Sequence, residues 1–376
     1  MQTDYDIAII GGGLAGLAAS IQLSRKGYSV VLFEKEVYPF HKVCGEYLSL
    51  ESWDFLTSLG IALKDLHLPI IDTLQLTAPN GNSLTTKLPL GGFGISRYLL
   101  DSSLAKMAID SGVNIRQRTK VDDVRSGDSY QVHFSGQVVN AKIVIGSFGK
   151  RSNLDVKWNR DFILQKSDRL NNYVAIKYHV ETDHPGNVIG LHNFKNGYCG
   201  ISRIEDGKYC LCYMTKAENL KNSGNDIRQM QHNVLFQNPH LRKVFSESKV
   251  VQDFPVTISQ ISFSQKTKTE NGMLLLGDAA GMITPLCGNG MSIALHTSKI
   301  AAQLIDRFLQ DKVSFNELGE LYAKQWQDNF AARLKTGRML QACFGSNSLS
   351  NLLVGTFKTL PFLAGPLIKL THGKPF

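Results

Sequence analysis

Three glycines and one acid near the start of the chain define the first chemistry. Gly11, Gly13 and Gly16 follow directly on the apolar run 5–10, and Glu34 closes a second apolar run at 29–33. Gly11 permits a tight turn, Gly13 lets a pyrophosphate approach the backbone, and Gly16 lets a helix lie close on a strand. The helix that starts at Leu14 and Ala15 turns its N-terminus toward those phosphates. A carboxylate at Glu34 stands where it accepts hydrogen bonds from a ribose hydroxyl. This spacing predicts a dinucleotide site. A second cluster lies in LLLGDAAGMITPLCGNGMSIA, residues 274–294. There a buried run delivers Asp278 to the end of a strand, where a carboxylate can hold a polyol hydroxyl. Gly288, Asn289 and Gly290 open the next helix, and free N–H groups at such a terminus suit an anionic or electron-rich group.

Positioning these residues requires a strand–helix–strand unit at 5–34, with Gly27 stopping the helix as a left-handed cap. Further on, the pattern predicts a helix at 50–59 ended by Gly60. Strands at 72–78 and 83–88 meet at the turn Asn80-Gly81, a strong hairpin signal. Gly91, Gly92 and Gly94 mark a return to the first domain, and a helix follows at 98–111. Short strands are expected at 113–116, 130–134, 138–140 and 142–146. From 172 to 214 the pattern changes to four consecutive strands separated by turn residues, an antiparallel sheet open on one face. A helix at 225–237, a buried strand at 273–276 and long helices at 289–309 and 315–340 complete the order. The tail 349–370 is apolar and broken by prolines. The nucleotide domain is therefore discontinuous: 1–70, 95–165 and 270–310, with 71–94 and 166–269 forming a substrate domain and 311–376 a helical C-terminus.

Composition bounds the function classes. The 376 residues are 43% hydrophobic and 19% charged, ordinary for a globular chain. No leader is apparent at the N-terminus, and Lys358, Pro361, Pro366 and Lys369 interrupt the nearest candidate span, 352–370. The net charge of +9 predicts attraction to anionic ligands, with an anionic membrane surface or an acidic partner as the less favoured targets. No nucleic-acid-binding motif or basic–aromatic stripe is present. The six cysteines fit neither a disulfide framework nor a zinc site, and reduced thiols in a cytoplasm are expected. Cys210 and Cys212 alternate along one strand and share a face.

With these residues in place, the chain resembles the flavoprotein family typified by para-hydroxybenzoate hydroxylase and geranylgeranyl reductase, over most of its first 330 residues. The resemblance implies an α/β fold: a three-layer FAD/NAD(P)-binding, Rossmann-like domain with an inserted antiparallel-sheet substrate domain and a helical C-terminus. It implies that Gly11, Gly13, Leu14, Ala15 and Gly16, with Glu34 and the adjoining Lys35, hold the adenosine half of FAD. Asp278 matches the family's ribitol-binding acid. Gly288, Asn289, Gly290 and Met291 match the loop at the flavin pyrimidine ring. Arg97 matches an arginine near the FAD, and Lys42-Val43-Cys44-Gly45 looks like the reductases' KVCG stretch along the flavin. Outside that context Cys44 reads as a packed thiol.

Three departures narrow the expectation. Phe148 stands where the hydroxylases carry an Asp that serves both FAD and NAD(P)H, so direct use of a nicotinamide is in doubt and an external reductase or electron-donor protein is the alternative. Gly281 replaces a His common in hydroxylases, which leans toward the reductases. Gly200 replaces the Trp of the reductases' substrate motif, which leans away from them. The expectation is a monooxygenase-type FAD enzyme of secondary metabolism acting on an apolar or aromatic small molecule. The alternatives are a prenyl or polyene double-bond reductase and a non-catalytic FAD-binding partner. Tyr173, Lys177, Tyr198 and Tyr213 are candidates for the pocket wall.

Overall fold

The computed structural model describes residues 3–164, 172–251, 255–261, 263–344 and 346–376. The boundary expected at 165/166 lies outside the described residues. Tyr5–Ile10, Val30–Phe33, Asn114–Arg116, Gln137–Gly146 and Met273–Leu275 form a parallel sheet, with Tyr5–Ile10 at its centre. Its two faces follow from the period of two along a strand. Ile7 and Ile9 point into one core with the helices Leu14–Ser24, Arg97–Asp110 and Gly290–Leu309. Ala8 and Ile10 point into the other, against the hairpin strands Asp123–Arg125 and Tyr130–Phe134. Helices, parallel sheet and antiparallel hairpin are the three layers. The two strands expected at 138–140 and 142–146 are one continuous strand, Gln137–Gly146, because its first half pairs with the hairpin and its second with Tyr5–Ile10.

Among the described residues the second sheet has nine strands. Tyr173–Glu181, Tyr209–Lys216, Gly197–Arg203 and Val188–Phe194 run antiparallel in that spatial order. Val188–Phe194 then pairs parallel with Ile70–Thr77, and Ser83–Gly94 continues the sheet. Tyr47–Ser49, which lies within the first piece of the expected nucleotide domain, adds the edge strand by pairing with 92–94. Gly91, Gly92 and Gly94 are thus part of a strand and not a break. At Gly92 a Cβ would run into Tyr47, so the close crossing of strands demands the glycine. The sheet is not open on one face. Helices Ile227–Asn233 and Pro239–Glu247 cover the side that carries Ile176, Cys199, Leu211 and Tyr213. The other side, with Tyr173, Ala175, Tyr198 and Met214, packs on Met282, Leu286, Phe344 and Val354.

Helix Phe315–Phe344 leads to two short helices, Asn347–Thr359 and Ala364–Lys369, so the proline-broken tail is helical on either side of its break. The chain end returns to the first domain. Phe376 stacks on His296 with ring centroids 4.2 Å apart, and Asn289 Nδ2 donates to the Thr371 carbonyl at 2.9 Å.

Candidate functional site

The glycine turn is tight on two sides and open on the third. Gly11 has φ +103°, and a Cβ there would lie 2.5 Å from the Ser147 carbonyl. A Cβ on Gly16 would lie 2.5 Å from Ser147 Oγ. Gly13 differs: the nearest atoms to a Cβ built on it are Arg97 Nη2 at 3.9 Å and Lys42 Nζ at 4.0 Å. Two cations therefore face bare backbone at the start of helix Leu14–Ser24. Both are held by one buried acid. Asp101 takes Arg97 Nε at 2.7 Å, Arg97 Nη2 at 2.8 Å and Lys42 Nζ at 2.9 Å. Burial pushes the Asp101 carboxyl up, and Arg97 and Lys42 more than reverse this, holding it below the usual range. One carboxylate against two cations leaves a net positive charge over Gly13, a cradle that could hold a pyrophosphate.

Glu34 is buried at the end of its strand. Its carboxylate accepts Gly12 N–H at 2.9 Å and Glu36 N–H at 3.0 Å, which ties it to the glycine turn and leaves lone pairs for a sugar hydroxyl. Lys35 next to it extends into solvent beside Glu36 and is not brought into the cradle. Leu14 and Ala15 are buried in the first turn of the helix.

Asp278 follows strand Met273–Leu275 in the short turn Gly277–Ala279. Gly277, at φ +55°, closes that turn against Ala15 and Ala294, which sets Asp278 near the first helix. Among the described residues nothing donates a hydrogen bond to its side chain, which is partly exposed. Burial raises its carboxyl above the usual value, opposed by Lys266, Arg97 and Lys150. Lys266 donates to the carbonyls of Lys150 at 2.6 Å and Asp278 at 2.8 Å, and burial pushes its ammonium down to about 8. With Lys266, Arg97 and Lys150 nearby, this carboxylate could accept from a hydroxyl-bearing ligand.

The loop 284–289 reaches the helix start at Gly290 through Gly288, at φ +64°. Met291 is buried in the first turn. Asn289 turns its amide nitrogen to the tail, while among the described residues its buried Oδ1 has no hydrogen-bond partner, nor has Ser292 Oγ. Cys44 lies on the connecting loop as a packed thiol raised by burial, and its carbonyl accepts Cys210 Sγ–H at 3.2 Å.

Sequence reasoning missed two residues here. Glu46, in left-handed backbone at φ +54°, accepts Arg97 N–H at 2.9 Å, Lys177 Nζ at 2.6 Å and His179 Nε2 at 2.6 Å. Lys177, a candidate for the pocket wall, is instead sealed in this ion pair. Tyr47 has a buried hydroxyl with no hydrogen-bond partner among the described residues, and its ring lies 3.1 Å from where a Gly288 Cβ would be. Tyr213 does not face this region. Its hydroxyl accepts from Gln231 Nε2 at 2.9 Å on the far side of the sheet. Tyr173 and Tyr198 do lie on the near side, in close packing.

An apolar cavity opens beside residues 286–288. Cavity and open mouth together span about 750 Å³. Leu74, Leu76, Leu84 and Leu191 of the second sheet form one wall, and Phe344, Phe357, Leu367 and Ile368 of the C-terminal helices form the other. Tyr47, Thr86, Thr371 and His372 are its polar exceptions.

Fold and cradle together define a flavoprotein class, and the known proteins similar to this chain agree. The FAD dependent oxidoreductase family model matches residues 6–42, and the squalene epoxidase model matches residues 198–356. The chain is 24% identical over 355 residues to conditioned medium factor receptor 1 of Dictyostelium discoideum, covering 88% of this chain and 68% of that protein. It is 24% identical over 359 residues to a digeranylgeranylglycerophospholipid reductase of Methanosarcina acetivorans, covering 92% and 86%. Among solved structures, the flavin-dependent brominase Bmp2 superposes with TM-score 0.79 at 19% identity, covering 98% of this chain and 93% of that one. A geranylgeranyl bacteriochlorophyll reductase-like protein of Thermoplasma acidophilum superposes with TM-score 0.77 at 20% identity, covering 93% and 90%. The chain is similar to FAD-dependent oxidoreductases. It is an enzyme whose cofactor is FAD. No helix among the described residues is long and apolar enough to cross a membrane.

Proposed function

We propose that the chain is a monooxygenase-type enzyme that oxidises an extended apolar molecule, with an aliphatic chain or a chain-bearing ring as the substrate class. The observation that carries this reading is the aliphatic cavity lying against residues 286–288, the loop that opens helix Gly290–Leu309. The squalene epoxidase match supports it, because residues 198–356 include that loop and, from the helical wall of the cavity, Leu340 and Phe344.

The residues fit FAD. Gly13 leaves open the space a side chain would fill, with Arg97 and Lys42 placed to neutralise a pyrophosphate. Glu34 and Asp278 each offer carboxylate lone pairs to sugar and ribityl hydroxyls. Gly288, Asn289, Gly290 and Met291 present a helix N-terminus, whose positive end favours a negatively charged ring edge. FAD bound there supplies two-electron chemistry and, once reduced, activation of oxygen. The chain's own part is to exclude water with leucine and phenylalanine walls and to orient the substrate. Tyr47 contributes a hydroxyl donor to a mostly apolar wall. Phe148 offers no acceptor for a nicotinamide, so electrons come from a separate reductase or donor protein.

Double-bond reduction is the second reading. It is favoured by Tyr47, since saturating a double bond takes a hydride at one carbon and a proton at the other. The burial that raises this phenol keeps it protonated. Digeranylgeranylglycerophospholipid reductases among the relatives point the same way. Product analysis of reduced enzyme in air and under nitrogen separates the readings: oxygen in the product supports oxygenation, two added hydrogens support reduction.

A further inference from the structure

The last 48 residues, 329–376, contain no Asp or Glu and six Lys or Arg: Arg333, Lys335, Arg338, Lys358, Lys369 and Lys374. Lys335, Lys358, Lys369 and Lys374 are exposed. The same stretch carries a dense set of exposed large apolar side chains. Leu352 is 67% exposed and Phe362 70%, with Leu349, Leu360, Leu363 and Leu370 beside them in sequence. Single exposed apolar residues are ordinary, but six within 22 residues of an acid-free segment are not. Helices Asn347–Thr359 and Ala364–Lys369 are two-sided. Their inner sides place Phe357, Leu367 and Ile368 on the cavity, while Leu352 on the first helix, Phe362 in the turn between them and Leu370 just past the second are exposed to solvent.

We infer that this helical pair docks the protein on an anionic lipid surface and that apolar substrate passes between the two helices and the sheet into the cavity. The second half rests on the substrate class proposed above; the docking does not. Charge complementarity selects the occupant. A neutral apolar partner leaves Lys358 and Lys369 without a counterpart, and a second copy brings like charges together, whereas an anionic bilayer accepts both the leucines and the lysines. Helices of 13 and 6 residues lie in the interface and do not span it.

The test is flotation of FAD-loaded protein with vesicles of phosphatidylcholine alone and of phosphatidylcholine with phosphatidylglycerol. Binding is expected only to the second, weakening as salt rises. Leu352→Ser with Phe362→Ser, neither in the cavity wall, should lower vesicle affinity by at least about tenfold while FAD content and melting temperature stay unchanged. Lys358→Gln with Lys369→Gln should remove the preference for anionic vesicles. No flotation, equal flotation with neutral vesicles, or variants that bind like the parent overturns the inference. Light scattering without lipid showing a dimer that the Leu352/Phe362 variant dissolves also overturns it, in favour of a second copy. Because flotation reads docking without turnover, its failure leaves the proposed oxidation untouched, and failure to find product leaves the docking result standing.

Discussion

The Lys177 ammonium lies 2.6 Å from the Glu46 carboxylate, and neither side chain is exposed to solvent. The pair joins the segment after Cys44 to strand Tyr173–Glu181 of the second sheet. Burial pushes the Glu46 carboxyl up, but His179 and Lys177 outweigh it and hold it below its ordinary 4.5. Burial pushes Lys177 down, and Glu46 outweighs that, raising it above 10.5. The signs follow. Glu46's contribution to stability is present above its unfolded value and is lost as pH falls through its lower folded value. Lys177's is present below its unfolded value and is lost as pH rises through its higher folded one. Glu46→Gln leaves a buried ammonium without its counter-charge and should cost about 3–5 kcal/mol in denaturant titrations at neutral pH. Glu46→Gln with Lys177→Met should recover part of this. Equal stability of parent and Glu46→Gln would contradict the burial of the pair.

Gly13 and Gly11 separate ligand from fold. An alanine at Gly13 meets nothing closer than 3.9 Å and sits at φ −83°, a conformation any residue adopts. Gly13→Ala should therefore leave the melting temperature of the FAD-free protein unchanged while weakening FAD binding at least about tenfold. Gly11→Ala meets the Ser147 carbonyl from left-handed backbone and should destabilise the FAD-free protein itself. Thermal melts with and without FAD, beside a binding titration, check both. FAD affinity unchanged in Gly13→Ala would move the pyrophosphate elsewhere.

Asp278 supplies the complementary test from the other half of the cofactor. Its side chain takes no hydrogen bond from a described residue, so Asp278→Ala removes an acceptor without orphaning a donor among them. A charge-assisted hydrogen bond contributes about 1.5–3 kcal/mol, so FAD affinity should fall about ten- to a hundredfold with the fold intact. Fluorescence titration of FAD into the stripped protein measures this. Unchanged affinity would mean that the ribityl chain lies away from the sheet edge.

Much of this site was legible from local signals. The strand–glycine–helix–strand unit and Gly277-Asp278 read directly because each turn needs glycine chemistry that few other residues can supply. What was not legible depends on partners far apart in sequence. Lys177 and Glu46 are 131 positions apart, and a lysine alternating within a strand reads as a wall or solvent position, not as half of a buried pair. Tyr198 and Tyr213 look equivalent on neighbouring strands. Register decides otherwise: Tyr198 pairs with Met214, which puts Tyr213 on the opposite face. Tyr47 reads as one more residue of a loop until its strand pairs with 92–94 and brings the ring to Gly288. The tail read as apolar and interrupted, but that it walls a cavity follows only from where the second sheet stands.

Phe148 bears on the source of electrons. Its Cα lies 2.8 Å from where a Gly11 Cβ would be, and its ring stands edge-on to Trp158 at 6.2 Å. Neither ring accepts a hydrogen bond at the position where hydroxylases use a carboxylate. Reduction of the bound FAD by NADH or NADPH should be slow or absent in anaerobic stopped-flow at the flavin band, with or without an apolar ligand. A flavin reductase system or dithionite should reduce it readily. Fast reduction by NADPH alone would show that a nicotinamide reaches the flavin despite Phe148.

The most direct measurement of the central claim is a single turnover. FAD-loaded protein is reduced with dithionite, desalted anaerobically, and mixed with squalene, geranylgeraniol or a long-chain alkylphenol under ¹⁸O₂ and, separately, under nitrogen. Products are weighed by mass spectrometry. The account predicts that at least one of these apolar substrates acquires a single ¹⁸O atom under oxygen and that nothing forms under nitrogen. A product heavier by two hydrogens under nitrogen, with no oxygen incorporated under ¹⁸O₂, would contradict it and establish the reductase reading in its place.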